Sequence, residues 1–143
     1  MNKGKPFFDT NVIVYAFQAR VPKQQAALDL LAAGGMTSVQ VLNEFANVAR
    51  RKLGFDWAQI EDAVSAVCVL LPDPAPLRLQ THVRALKLAE RFDVSFYDAL
   101  VIATAVESNS AVLYTEDLQH GQRIEGIQIR NPFLLKPSGP EQV

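Results

Sequence analysis

Four acids stand at points where alternating strands and helices would gather them: Asp9 in FFDTN, Glu44 in VLNEF, Asp98 in SFYDAL and Asp117 in LYTED. Asp9 and Asp117 each follow a short apolar run that reads as a strand, and Glu44 and Asp98 fall in the opening turns of amphipathic helices. In a parallel sheet, strand carboxyl ends and helix amino ends share one edge, where open α/β sheets bind ligands. Carboxylates collected there repel: a pair at about 4 Å costs roughly 1 kcal/mol in water and about 4 kcal/mol at an intermediate dielectric. A hard divalent cation removes that conflict, and oxygen-only ligands select magnesium or manganese. The chemistry such an ion supplies, a polarised phosphoryl oxygen and a hydroxide-like water, is that of phosphodiester hydrolysis.

Taken singly, each acid has a plainer account. Asp9 can cap the helix that begins near Val12, Asp98 can complete a capping box opened by Ser95, Glu44 can be a solvated helix residue and Asp117 a turn residue. Their conjunction argues for a site, because one topology brings all four to the same edge. Thr10, Asn11, Asn43, Ser95, Thr115 and Glu116 flank them as polar supports.

The elements that must position these acids can be read in order. Phe7-Phe8 is a strand, followed by the polar elbow Asp9-Thr10-Asn11. Pro22 opens a second helix, which Gly34-Gly35 ends, and Met36 to Ser38 is a very short strand. From Val39 to Leu53 the apolar residues Leu42, Phe45, Ala46 and Ala49 recur as only a helix would bury them. Asp56 caps the next helix, which passes into an apolar strand candidate, Val67 to Leu71. Pro72, Pro74 and Pro76 then force a loop. A long helix from about Leu77 to Arg91 is predicted to bury Leu79, Val83, Leu86 and Ala89 or Leu88. Ala99 to Val106 is so uniformly apolar that its helix belongs at the centre. Ala111 to Thr115 is a buried strand, Gly121 to Gly126 a loop and Ile127 to Arg130 a last strand. The alternation predicts one α/β domain over residues 1–136, a three-layer α/β/α arrangement with a central parallel sheet, and a frayed tail over 137–143.

With 143 residues, 49% of them hydrophobic, the chain can build one core. A net charge of −1 excludes a bulk polycation, so any nucleic-acid contact must be local. Cys68, the only cysteine, sits in VCVLL and reads as a small buried hydrophobe; a reducing cytosol fits. No stretch is long and apolar enough to span a membrane. Arg50-Arg51-Lys52 suits phosphate, but cations at a helix carboxyl end are favoured anyway. His120 and His82 read as loop and helix surface, and no zinc site has ligand spacing. Trp57 and Tyr97 read as core or interface packing.

FFDTNVIVYAF, SVQVLNEF, FYDALVIATA and LYTEDLQHG together resemble the PIN-domain ribonucleases, among them the VapC-like toxins of bacterial toxin-antitoxin pairs, from about Phe7 to Ile129. The resemblance implies a magnesium- or manganese-dependent endoribonuclease whose catalytic and metal-binding acids are Asp9, Glu44, Asp98 and Asp117. Asn11 and Thr115 are then polar supports and Glu116 an extra or alternative ligand. It further implies a cytoplasmic homodimer, an RNA substrate and a cognate antitoxin over the cleft. Two rival functions stand beside it. A phosphatase or phosphotransfer domain would use Asp9 as nucleophile, but a haloacid-dehalogenase-like phosphatase wants a second Asp where Asn11 stands, and a receiver domain wants an acidic pair after the first strand and a lysine after its last, neither of which is evident. A catalytically silent PIN-fold binding protein would have no use for four acids.

Overall fold

The computed structural model describes residues 4–134. The first three residues and the tail over 137–143, with the domain boundary placed at 136, lie outside the described residues. In chain order the elements are β1 (Pro6–Phe8), α1 (Thr10–Ala16), α2 (Lys23–Ala32), α3 (Val39–Arg51), α4 (Trp57–Leu70), α5 (Leu79–Phe92), α6 (Phe96–Glu107), β2 (Val112–Tyr114), β3 (Arg123–Ile124) and β4 (Ile127–Arg130). Strand order is β1-β2-β4-β3. The first two pairings are parallel, with Phe8 opposite Tyr114 and Tyr114 opposite Arg130. The α/β class and the mostly parallel central sheet are as predicted.

The sheet departs from all-parallel at its far edge. The segment expected to be only a loop contains β3, antiparallel to β4 with Ile124 opposite Ile127. Glu125 and Gly126 both have positive φ, the backbone that a two-residue hairpin needs. At the other edge Met36 pairs with Phe7 and Ser38 with Ala75 as single parallel bridges, so the predicted short strand survives as extended chain. Gly35 makes that approach feasible: a Cβ there would meet Phe8 and the Pro6 carbonyl at 2.6 Å.

Two predictions about α4 and α5 are corrected. Val67 to Leu71 is not a strand: α4 runs on through Leu70, and its buried residues Ile60, Ala63 and Val67 keep helical spacing. The apolar run misled because Val69 and Leu70, which a strand would have buried, are exposed. On α5 the buried residues are Thr81, Ala85 and Leu88, whereas Leu79, Val83 and Leu86 are exposed. The helix turns a small-residue face inward because its neighbour α6 is buried from Ala99 through Ala105, and close helix contact favours small side chains. Cys68 is half-buried rather than buried, and Trp57 and Tyr97 are 66% and 62% exposed, so neither aromatic packs in the core.

Phe7, Phe8, Leu113 and Ile129, from β1, β2 and β4, are fully buried and form the middle of the core. That core holds the carboxyl ends of β1 and β2 side by side, and both acid-bearing elbows leave from there.

Candidate active site

Asp9 follows β1 directly and caps α1, its Oδ1 accepting the Thr10 amide at 2.7 Å. Its other oxygen accepts the Thr115 hydroxyl at 2.7 Å, and its amide is tied to the Tyr114 carbonyl at 3.0 Å. The parallel pairing of β1 with β2 is therefore continued by side chains just past the strand ends. Thr115 does more than support Asp9. Its hydroxyl oxygen also accepts the Asp117 amide at 3.0 Å and the Asn11 side-chain amide at 3.3 Å. Asn11 in turn donates to Asp117 Oδ2 at 3.1 Å and accepts the Glu116 amide at 3.3 Å.

Asp98 arrives from α6, whose amino end is set by Ser95 accepting the Asp98 amide at 3.1 Å. Each of Asp9, Asp98 and Asp117 offers a carboxylate oxygen within 4.8 Å of the other two. Burial falls across the trio from Asp9, only 4% exposed, through half-buried Asp98 to exposed Asp117. Glu44 stands outside this close group. It accepts the Thr10 hydroxyl at 3.4 Å and the Gln40 side-chain amide at 3.1 Å, so a single residue, Thr10, links it to Asp9.

The electrostatics record the crowding. Burial pushes the Asp9 carboxyl up to about 7; the bonds from Thr115 and Thr10 work against this, and the charges of Asp117 and Glu44 add to it. Glu44 is also raised, first by burial and then by Asp98 and Asp117, while Gln40 and Thr10 oppose the rise. Asp98 is raised by burial, lowered by Ser95 and raised again by Asp117. Raised carboxyls that share one cleft are groups for which a cation would substitute for protons. The donor set is all oxygen, the spacing allows one ion to touch three acids, and both properties suit magnesium or manganese.

Glu116 is turned away from this trio. It accepts the Tyr15 hydroxyl at 2.6 Å and pairs with Lys23 at 2.8 Å. Burial opposes its charge, but Lys23 and Tyr15 outweigh that and hold its carboxyl below the usual range. The sequence carries no signal for this pairing, whose members lie 93 positions apart. Gln40 was also overlooked, although its spacing of four from Glu44 on one helix is a contact rule. The basic run divides: Arg50 donates to the Phe55 carbonyl at 3.2 Å and covers the Trp57 ring, leaving Arg51 and Lys52 exposed. His120 accepts the Asn131 amide at 2.9 Å, a loop role as expected.

The PIN domain family matches residues 7–123. This chain belongs to the PIN domain family. No curated protein matches the sequence. Among solved structures, a toxin-antitoxin complex from Klebsiella pneumoniae superposes with a TM-score of 0.69 at 20% identity, covering 91% of this chain and 99% of that one. VapC20 from Mycobacterium tuberculosis, a sarcin-ricin loop cleaving toxin, gives 0.61 at 22% identity over 76% of this chain and 86% of that chain. VapBC2 from Rickettsia felis, bound to a DNA fragment from its promoter, gives 0.64 at 20% identity over 88% and 97%. At these identities the PIN fold is what is shared.

Proposed function

We propose that this protein is a magnesium- or manganese-dependent endoribonuclease and the toxin of a toxin-antitoxin pair. The observation that carries the reading is the convergence of Asp9, Asp98 and Asp117 within 4.8 Å at the sheet edge of a PIN domain, with Glu44 beside them. In this reading Asp9, Asp98 and Asp117 hold the ion and Glu44, on the opposite helix, completes the acidic wall. When bound, the ion supplies charge for the developing phosphoryl oxyanion and lowers the pKa of a water. The chain's own residues do the rest. Thr115 and Thr10 fix the two oxygens of Asp9, and Asn11 with Thr115 fixes the Asp117 elbow. Asp9 as a phosphorylated nucleophile is disfavoured, because the residue is buried and both its oxygens already accept short hydrogen bonds.

The partner reading draws on the Klebsiella and Rickettsia toxin-antitoxin complexes that share this fold. A basic antitoxin segment suits a cleft with this concentration of acid. Self-association has a surface too, and it is not on α2 or α4, where Leu31, Ala63 and Val67 are spent in the core. Leu79, Val83 and Leu86, spaced i, i+4, i+7 on α5, stand exposed and supply the apolar face for a homodimer. No helix among the described residues is long and apolar enough to cross a membrane.

Purified protein incubated with total RNA, in magnesium, in manganese and in chelator, tests the activity. Cleavage should require metal and fall by orders of magnitude in Asp98→Asn. Equal cutting in chelator would refute the metal mechanism, and a fully active Asp98→Asn would remove that residue from the site.

A further inference from the structure

Beside the acids a groove of about 440 Å³ opens between α1 and α3, within the size range of small-ligand sites. Glu44 and Asp117 line one end and Lys52 lines the other. Glu44 and Val48 on α3 and Lys52, the helical residue just past its end, are spaced by four and so share one face, and Val14 and Leu53 complete an apolar floor between the charged ends. Eight residues of helix separate Glu44 from Lys52, about 12 Å along the axis. One phosphate cannot touch both ends.

Gln18 on the groove wall is half-buried, and its carboxamide makes no hydrogen bond among the described residues. Tyr15, the only aromatic lining the groove among the described residues, is already engaged: Lys23 lies 4.7 Å from its ring centroid, Phe133 makes an edge contact with it and Glu116 accepts from its hydroxyl. A planar group entering here would therefore lie on aliphatic side chains and meet one free carboxamide, which carries both a donor and an acceptor.

We propose that this groove is the subsite for the nucleotide adjoining the scissile phosphate, with its base on Val14, Val48 and Leu53, Gln18 reading the base edge, and Lys52 holding the next phosphate. This rests on the ribonuclease reading above. RNA fits the charge pattern more economically than a protein segment does. A nucleotide chain presents phosphate at both ends from one repeating unit, one to the cation that Asp117 would hold and one to Lys52, whereas a peptide would need a basic residue at Asp117 and an acidic one at Lys52.

The test uses a short single-stranded RNA pool of random sequence, cut with manganese, with fragment ends mapped for wild type, Gln18→Ala and Lys52→Gln. Wild type should show a base preference at one position next to the cut, and Gln18→Ala should flatten it. Lys52→Gln should raise KM about tenfold, with the larger effect on KM than on kcat. It should also make the dependence of log affinity on log salt shallower by about 0.7, the share of one phosphate on a single strand. If wild type cuts the pool and both variants match it in base preference, KM and salt dependence, the subsite is overturned and the nuclease reading stands. Variants that cut normally but no longer bind the protein encoded beside this one would also overturn it, making the groove a protein-docking surface. A wild type that leaves the pool uncut overturns both readings.

Discussion

The hydroxyl of Thr115 donates to Oδ2 of Asp9 at 2.7 Å across 106 positions of sequence. The same oxygen accepts the Asp117 amide, so one hydroxyl sets the distance between a buried acid and an exposed one. Groups that orient metal ligands typically contribute tenfold to a hundredfold in metal affinity. Thr115→Val should therefore weaken manganese binding by about that factor, read by calorimetry, while Thr115→Ser should retain most of it. Undiminished binding by Thr115→Val would show that Asp9 and Asp117 hold their places without it.

Asp9 gives the metal-free protein a pH dependence of definite sign. Its carboxyl is near 7 when folded against an ordinary 3.8, so the folded state binds the proton more tightly than the unfolded chain does. The stability this supplies is full below about pH 4 and is lost as pH rises through about 7. Thermal melts in chelator should fall over that window, and Asp9→Asn should flatten the fall. The same proton competes with a cation, so manganese affinity should drop as pH falls below about 7. A metal-free stability that rises from pH 4 to pH 7 with no change in Asp9→Asn would contradict the assignment.

Glu116 is predicted to be structural. Its partner Lys23 is about 40% exposed, and half-exposed ion pairs contribute less than about 1 kcal/mol. Glu116→Gln should melt only slightly below wild type and bind manganese with unchanged stoichiometry and near-normal affinity. A loss of metal affinity comparable to that of Asp98→Asn would place Glu116 among the ligands.

Gly35 sits where any side chain collides. Its φ is +151°, and an added Cβ would lie 2.6 Å from both Phe8 and the Pro6 backbone. Gly35→Ala must push the Met36 segment off β1, a destabilisation of about 2 kcal/mol or more. Chemical denaturation measures it directly; a loss below about 0.5 kcal/mol would mean the edge shifts freely.

Most of the fold was legible because its helices carry their own punctuation. Ser38, Asp56 and Ser95 cap the helices they precede, and Gly34-Gly35 and Pro72 lie just past helix ends. Asp9 and Asp98 could be placed at one edge for the same reason, since they belong to helix starts whose position follows from the chain. What failed depended on neighbours. The inward face of α5 is chosen by α6, and the run from Val67 to Leu71 satisfies strand and helix equally until Ile60 and Ala63 decide the period. The strand β3 is two residues long and exists only because β4 is beside it. Within the site, contacts between distant residues such as Lys23 and Glu116 leave no local pattern, whereas Gln40 and Glu44 do.

The parallel pairing of β1 with β2 joins the first strand of the chain to one made more than a hundred residues later. At roughly 5–20 residues per second, a ribosome needs several seconds after releasing Asp9 before Thr115 and Asp117 exist to meet it. During that interval the nascent protein carries Asp9 and Glu44 but neither Thr115 nor Asp117. A product cut short before Val112 never gains those two residues, so interrupted synthesis yields chains that cannot assemble the acid cluster. The cell that makes this protein meets the complete cleft only after the segment carrying Thr115 and Asp117 has been made.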